Sequence, residues 1–162
     1  MTLSVGDTLP NATLRYFGDD GPATRSIEEI TKGRKVVIFG LPGAYTRTCS
    51  AAHVPSFIRT KDQFDAKGID EVICVSVNDV FVMQSWGIDT GATEVGITML
   101  ADPVAEFTKA IDMLFTGEPV GLIDRCKRFS LVAEDGVVTV YHEETEKGGC
   151  TISSGEDLLA AI

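Results

Sequence analysis

Basic residues are scarce: 14 lysines and arginines stand against 24 aspartates and glutamates among 162 residues, a net charge of −10. A chain so acidic has no cationic stripe to set against phosphate, which argues against nucleic acid and anionic membrane surfaces as partners. Long apolar runs are missing too. None approaches the roughly 18–20 residues a membrane span needs, and the opening Met1-Thr2-Leu3-Ser4-Val5-Gly6-Asp7 has no basic region leading into an apolar stretch. A soluble cytoplasmic protein is expected. The two histidines, His53 and His142, leave few ligands for a metal. The four cysteines (Cys49, Cys74, Cys126, Cys150) are unevenly spaced with no Cys-x-x-Cys, so neither a secreted disulfide framework nor a zinc ribbon is indicated. Thiol chemistry in a reducing compartment remains.

With 44% hydrophobic residues and no repeat, linker or low-complexity segment, the chain reads as one domain over residues 1–162. Val36 to Gly40 and Val72 to Val77 are short, nearly continuous apolar runs, as buried parallel strands require. Between them a helix is expected from about Cys49 to Lys67, with Val54, Phe57, Ile58 and Phe64 at near-helical spacing and Gly68 as its stop. Asn78 or Asp79 is expected to cap a helix carrying Phe81, Val82 and Trp86. Asp102-Pro103 reads as the start of another, with Val104, Phe107, Ile111 and Leu114 on one face. Phe129–Ala133 and Val137–Tyr141 flank Asp135-Gly136, a hairpin signal. Ser153 or Ser154 then begins a last helix bearing Leu158, Leu159 and Ile162. This order gives an α/β, thioredoxin-like fold: a mixed central sheet flanked by helices.

Cys49 is the residue around which a function can be argued. It ends Pro42-Gly43-Ala44-Tyr45-Thr46-Arg47-Thr48-Cys49, between an apolar strand and the start of a helix. The first helical turn offers free N–H groups and the positive end of the macrodipole, both of which favour a thiolate. Thr46 sets a hydroxyl one turn before the sulfur, and Pro42 is placed to shield the thiol from water.

In these residues the chain resembles the peroxiredoxins, and within them the subfamily that includes peroxiredoxin 5, the plant type II enzymes and the bacterial peroxiredoxin–glutaredoxin hybrids. The likeness extends over Val5-Gly6-Asp7, the Pro42–Ser50 segment, His53-Val54-Pro55, Val75–Asp79, Ala101-Asp102-Pro103 and Lys127-Arg128-Phe129-Ser130. It implies a thiol peroxidase without metal or organic cofactor. Cys49 would be the peroxidatic cysteine, Thr46 would orient peroxide and thiolate, Pro42 would shield the pocket, and Arg128 would complete the site. Arg47 stands where the subfamily usually has a second proline, a departure that leaves Thr46 and Cys49 themselves unaltered while loop rigidity and substrate access are expected to differ.

The resemblance further implies hydroperoxide as substrate, glutathione with glutaredoxin or thioredoxin as reductant, and a homodimer, with the region of Tyr45 and the Asn78–Trp86 helix as its expected surface. Cys74 reads as a small core residue, yet plant type II enzymes carry a cysteine at this strand position, so a resolving role stays open. Cys150, in the Gly148-Gly149-Cys150 loop, lies two residues before the position of the resolving cysteine of peroxiredoxin 5, so a resolving role stays open for it too. His53, four residues from Cys49, reads as structural, Cys126 as a spectator, and Glu143-Glu144-Thr145-Glu146 as a solvated loop. An alternative to turnover is a peroxide-sensing relay or binding module that oxidises at Cys49 and passes the signal on. A disulfide oxidoreductase is disfavoured because no Cys-x-x-Cys opens the helix.

Overall fold

The computed structural model describes residues 1–145 and 148–162; Glu146, at the end of the acidic run, lies outside them. The strands are β1 (Thr13–Gly18), β2 (Gly21–Ser26), β3 (Lys35–Gly40), β4 (Glu71–Ser76), β5 (Thr98–Ala101), β6 (Leu114–Gly117), β7 (Leu122–Cys126), β8 (Phe129–Glu134) and β9 (Val137–Glu143). The α-helices are α1 (Ile27–Thr31), α2 (Val54–Ala66), α3 (Val80–Thr90), α4 (Glu106–Ala110) and α5 (Gly155–Ala160). Seven strands form one sheet in the order β2-β1-β5-β4-β3-β8-β9, and β6 pairs with β7 separately. β3, β4 and β5 run parallel, while β1, β2, β8 and β9 join antiparallel, so the sheet is mixed as expected.

Alternation along the central strands divides the interior in two. Val36 and Ile38 of β3 and Ile73 and Val75 of β4 face a core closed by Ile27 and Ile30 of α1 and Phe107 of α4. Val37, Phe39, Val72 and Cys74 face the opposite core, closed by Val54, Phe57 and Phe64 of α2, Met83 and Trp86 of α3, and Leu158 of α5. Both faces of β3 and β4 are covered, which is why these strands read as apolar runs rather than alternating ones. Gly40, at the end of β3, has no room for a Cβ, which would run into the Phe129 ring.

Three expectations need adjusting. The helix around Cys49 is not uniform: Arg47 and Thr48 are helical, Cys49–His53 form a π-turn, and α2 follows. Pro55 explains the widening, because it lacks an N–H and its ring crowds the carbonyl one turn back. Asp102-Pro103 does not open a helix. The fully buried Asp102 instead caps α4 from a distance, accepting from Phe107 N (3.3 Å), Thr108 N (2.9 Å) and Thr108 Oγ1 (2.8 Å). Val104 is therefore exposed and Leu114 begins β6. The acidic run is not simply solvated either, since Glu143 ends β9 and Glu144 is engaged by the following loop. The cap of α3 is Asp79 and that of α5 is Ser154, each accepting a backbone N–H with its side chain.

Candidate active site

The carboxyl ends of parallel strands are where α/β sheets hold their ligands, and the loop after β3 leads there. Asn78, just past β4, fixes this loop: its Oδ1 accepts from Ala44 N (2.9 Å) and Ser76 Oγ (2.6 Å). The chain then passes through Tyr45, held at φ 64°, into the helical turn carrying Cys49. Its first i to i−4 bond is Ser50 N to Thr46 O at 3.0 Å, so the N–H groups of Thr48 and Cys49 lie ahead of the helical ladder. Trp86 of α3 donates its indole N–H to Ser50 Oγ at 3.0 Å, pinning the turn next to the sulfur.

Cys49 is fully buried, and Arg128 is 7% exposed. Arg128 Nη2 donates to Cys49 Sγ at 3.4 Å, while Nη1 donates to His53 Nδ1 at 3.0 Å. Because Arg128 can only donate, Nδ1 must be the acceptor. The ring therefore carries its proton on Nε2, which donates to Ser153 O at 3.0 Å. Burial, then the adjacent Arg128 charge, pushes the His53 pKa down to about 3, so the imidazole is neutral. The π-turn and the i, i+4 spacing put Cys49 and His53 on the same guanidinium.

Thr46 Oγ1 donates to Gly43 O at 2.7 Å, which commits its proton and leaves its lone pairs to accept. The Pro42 carbonyl accepts from Arg125 Nη1 at 3.2 Å. Gly43 permits that approach, since a Cβ there would meet the Arg125 guanidinium. Beside these groups lies a cavity of about 340 Å³ whose lining includes Pro42, Phe115, Thr116, Lys127, Arg128 and Gly148.

Of the four residues the sequence singles out, Arg128 and Cys49 are in direct contact, Pro42 lines the cavity with Arg128, and Thr46 accepts the first helical hydrogen bond of the turn that carries Cys49. The other thiols are set apart. Cys74 lies buried within β4, paired on both sides, and burial raises its pKa well above the ordinary thiol value. Cys126 is buried, which pushes its pKa up to about 12. Cys150 is half-buried in a loop tethered by Thr48 Oγ1 donating to Gly148 O at 2.8 Å, next to Cys49 in sequence; burial raises its pKa as well. All four are free thiols. Sequence reading missed Arg125, Ser153 and Glu144 as members of the site, and placed His53 near the pocket without its bond to Arg128. Spacing carries no signal for partners joined only by folding.

A buried thiol facing a guanidinium, a hydroxyl with free lone pairs, and helix-start N–H groups together suit attack on an oxygen with stabilisation of the departing one. Among the described residues no cluster of His, Cys, Asp and Glu could hold a metal. The family model described as Redoxin matches residues 4–159. Chloroplastic peroxiredoxin-2E-2 of Oryza sativa subsp. japonica is 44% identical over 165 residues, covering 99% of this chain and 73% of the relative. Peroxiredoxin-2B of Arabidopsis thaliana is 40% identical over 161 residues, covering 99% and 98%. The crystal structure of reduced Prx3 in complex with hydrogen peroxide from Vibrio vulnificus superposes with a TM-score of 0.93 at 41% identity, covering 99% of each chain.

Proposed function

The chain belongs to the redoxin family and is a peroxiredoxin, a thiol peroxidase, and from that premise we propose that it reduces hydrogen peroxide and organic hydroperoxides through a sulfenic acid on Cys49. The observation that carries this reading is the Arg128 Nη2 to Cys49 Sγ contact at 3.4 Å, made to a fully buried sulfur. The Cys49 thiolate attacks one peroxide oxygen; an S–O bond forms, the O–O bond breaks, and the departing oxygen leaves with the electron pair as hydroxide or alkoxide. Proton uptake makes it water or alcohol. Cys49 is oxidised to Cys–SOH and the peroxide is reduced.

Three groups divide this task. Arg128 stabilises the thiolate and the charge passing to oxygen, and its fixed guanidinium needs no reorganisation as the bond breaks. Thr46, its proton given to Gly43, accepts a hydrogen bond from peroxide O–H and so aims the reacting oxygen. Pro42, braced by Arg125, closes one wall of the pocket. The adjoining cavity of about 340 Å³, with the Phe115 ring among its lining, favours organic hydroperoxides alongside hydrogen peroxide.

An external thiol returns the enzyme to its starting state: it condenses with Cys–SOH, releasing water, and a second thiol reduces the mixed disulfide. Glutathione with glutaredoxin, or thioredoxin, supplies these electrons. The burial of Cys74 between paired strands favours this cycle over an internal disulfide to it. Exposed Tyr45, Phe81 and Ile88 support homodimerisation through the same side of the molecule. The experiment is peroxide consumption with each reductant system, for the wild type, Cys74→Ser and Cys150→Ser. Full turnover in both variants supports the external-thiol cycle. A single oxidation with no turnover by either system would favour the sensing relay.

A further inference from the structure

Glu144 departs most from what its sequence context suggests. Its carboxylate collects five hydrogen bonds from three consecutive residues. Oε2 accepts from Thr151 N (2.9 Å), Ile152 N (3.2 Å), Ser153 N (3.2 Å) and Ser153 Oγ (3.0 Å), and Oε1 accepts from Thr151 Oγ1 (3.0 Å). Successive N–H groups turned onto one oxygen make an anion nest, and its bonds are charge-assisted. Glu144 is itself anchored, its N–H donating to Arg128 O at 2.9 Å.

The far end of this nest reaches the reactive thiol. Ser153 is fully buried, and its carbonyl accepts from His53 Nε2; His53 Nδ1 accepts from Arg128 Nη1, and Arg128 Nη2 donates to Cys49 Sγ. The path leaves the Arg128 backbone and returns to its guanidinium, enclosing both the loop and the ring.

We propose that Glu144 is a positioning residue for the Cys49 centre: its carboxylate accepts from the Ser153 N–H and hydroxyl and so fixes where the Ser153 carbonyl lies, that carbonyl holds the His53 ring, and the ring holds the Arg128 guanidinium against the sulfur. The inference rests on the peroxidase reading above. Its physical basis is that a buried imidazole N–H tolerates no loss of its acceptor. If the Ser153 carbonyl moves, the ring turns to find another partner, Nδ1 no longer faces Arg128, and the guanidinium loses its second anchor. Reaction with peroxide depends on that anchor, because misplacement of a charge-stabilising group by about 1 Å lowers rates on the order of 100-fold. A loop staple alone would not act on one reagent more than another.

The test compares second-order rate constants of reduced wild type, Glu144→Ala and Glu144→Gln toward hydrogen peroxide and toward iodoacetamide, with alkylation mapped to Cys49. Iodoacetamide needs a thiolate but has no O–O bond to polarise. On the high-pH plateau of each rate profile, where the thiol is ionised in every variant and lost thiolate stabilisation drops out, Glu144→Ala is expected to react about 10- to 100-fold more slowly with peroxide and within about threefold of wild type with iodoacetamide. Glu144→Gln, which keeps one acceptor oxygen, should fall between. A peroxide rate within about twofold of wild type, or equal losses toward both reagents, would overturn the proposal. If Glu144→Ala fails to fold by circular dichroism, the Gln variant carries the same comparison under the same criteria. A wild type inert to peroxide but open to iodoacetamide would instead overturn the peroxidase reading, and the same data set separates the two failures.

Discussion

Mild acidification should weaken this protein chiefly through His53. The ring is fully buried beside Arg128, and its pKa falls from an ordinary 6.5 to about 3. Between these values the unfolded chain binds a proton that the folded chain refuses, so stability is present above the unfolded value and is lost as pH falls toward the folded one. Integrating the two titrations, the loss from pH 7 to pH 5 comes to about 2 kcal/mol. Glu71, where burial's upward push is outweighed by Arg25 and Thr98 so that its pKa is lowered to about 2, adds only about 0.2 kcal/mol over that interval, on the same linkage relation, because it titrates lower. The assay is urea unfolding at pH 7 and pH 5, at one fixed protein concentration, for wild type and His53→Gln. Glutamine can accept from Arg128 and donate to Ser153 O but takes up no proton, so its stability should change by less than about 0.5 kcal/mol over the same range. Equal pH slopes in the two proteins would refute the assignment of the loss to His53, whatever the absolute stabilities.

Further expectations concern single side chains. Arg128→Lys keeps a charge but cannot donate to His53 and Cys49 in the same fork, and kcat/KM for hydrogen peroxide should fall by about 100-fold in a coupled assay. Thr46→Val removes the accepting oxygen and should lose on the order of 100-fold, whereas Thr46→Ser should stay near wild type in the same assay. Gly40→Ala forces a methyl against the Phe129 ring, and urea unfolding should show about 1–3 kcal/mol less stability.

The parts legible in the sequence are those where local pattern and burial coincide. β3 and β4 are covered on both faces and read as apolar runs, and Asp135-Gly136 closes the β8–β9 hairpin, with Asp135 at φ 49° and Gly136 at φ 80°. The β1–β2 hairpin was not legible. β2 is an edge strand of sequence GPATRS, with proline and arginine and no apolar run. The β6–β7 ribbon is mostly half-buried and offers little periodicity. At the site, Thr46 and Cys49 are joined by a helical turn and announced themselves. Arg128 became identifiable only through resemblance to a family, being 79 residues from Cys49. Glu144 was hidden for a different reason: an acidic run is ordinarily solvated, and only the folded loop shows which carboxylate it closes around.

The central claim, that Cys49 is the atom peroxide oxidises, is tested most directly by intact-mass analysis of the reduced protein after one equivalent of hydrogen peroxide, alongside Cys49→Ser. A sulfenic acid adduct mapped to Cys49, or a disulfide that includes it, and no change in the serine variant, is the predicted result. Equal oxidation of both proteins, or none in either, would contradict the account.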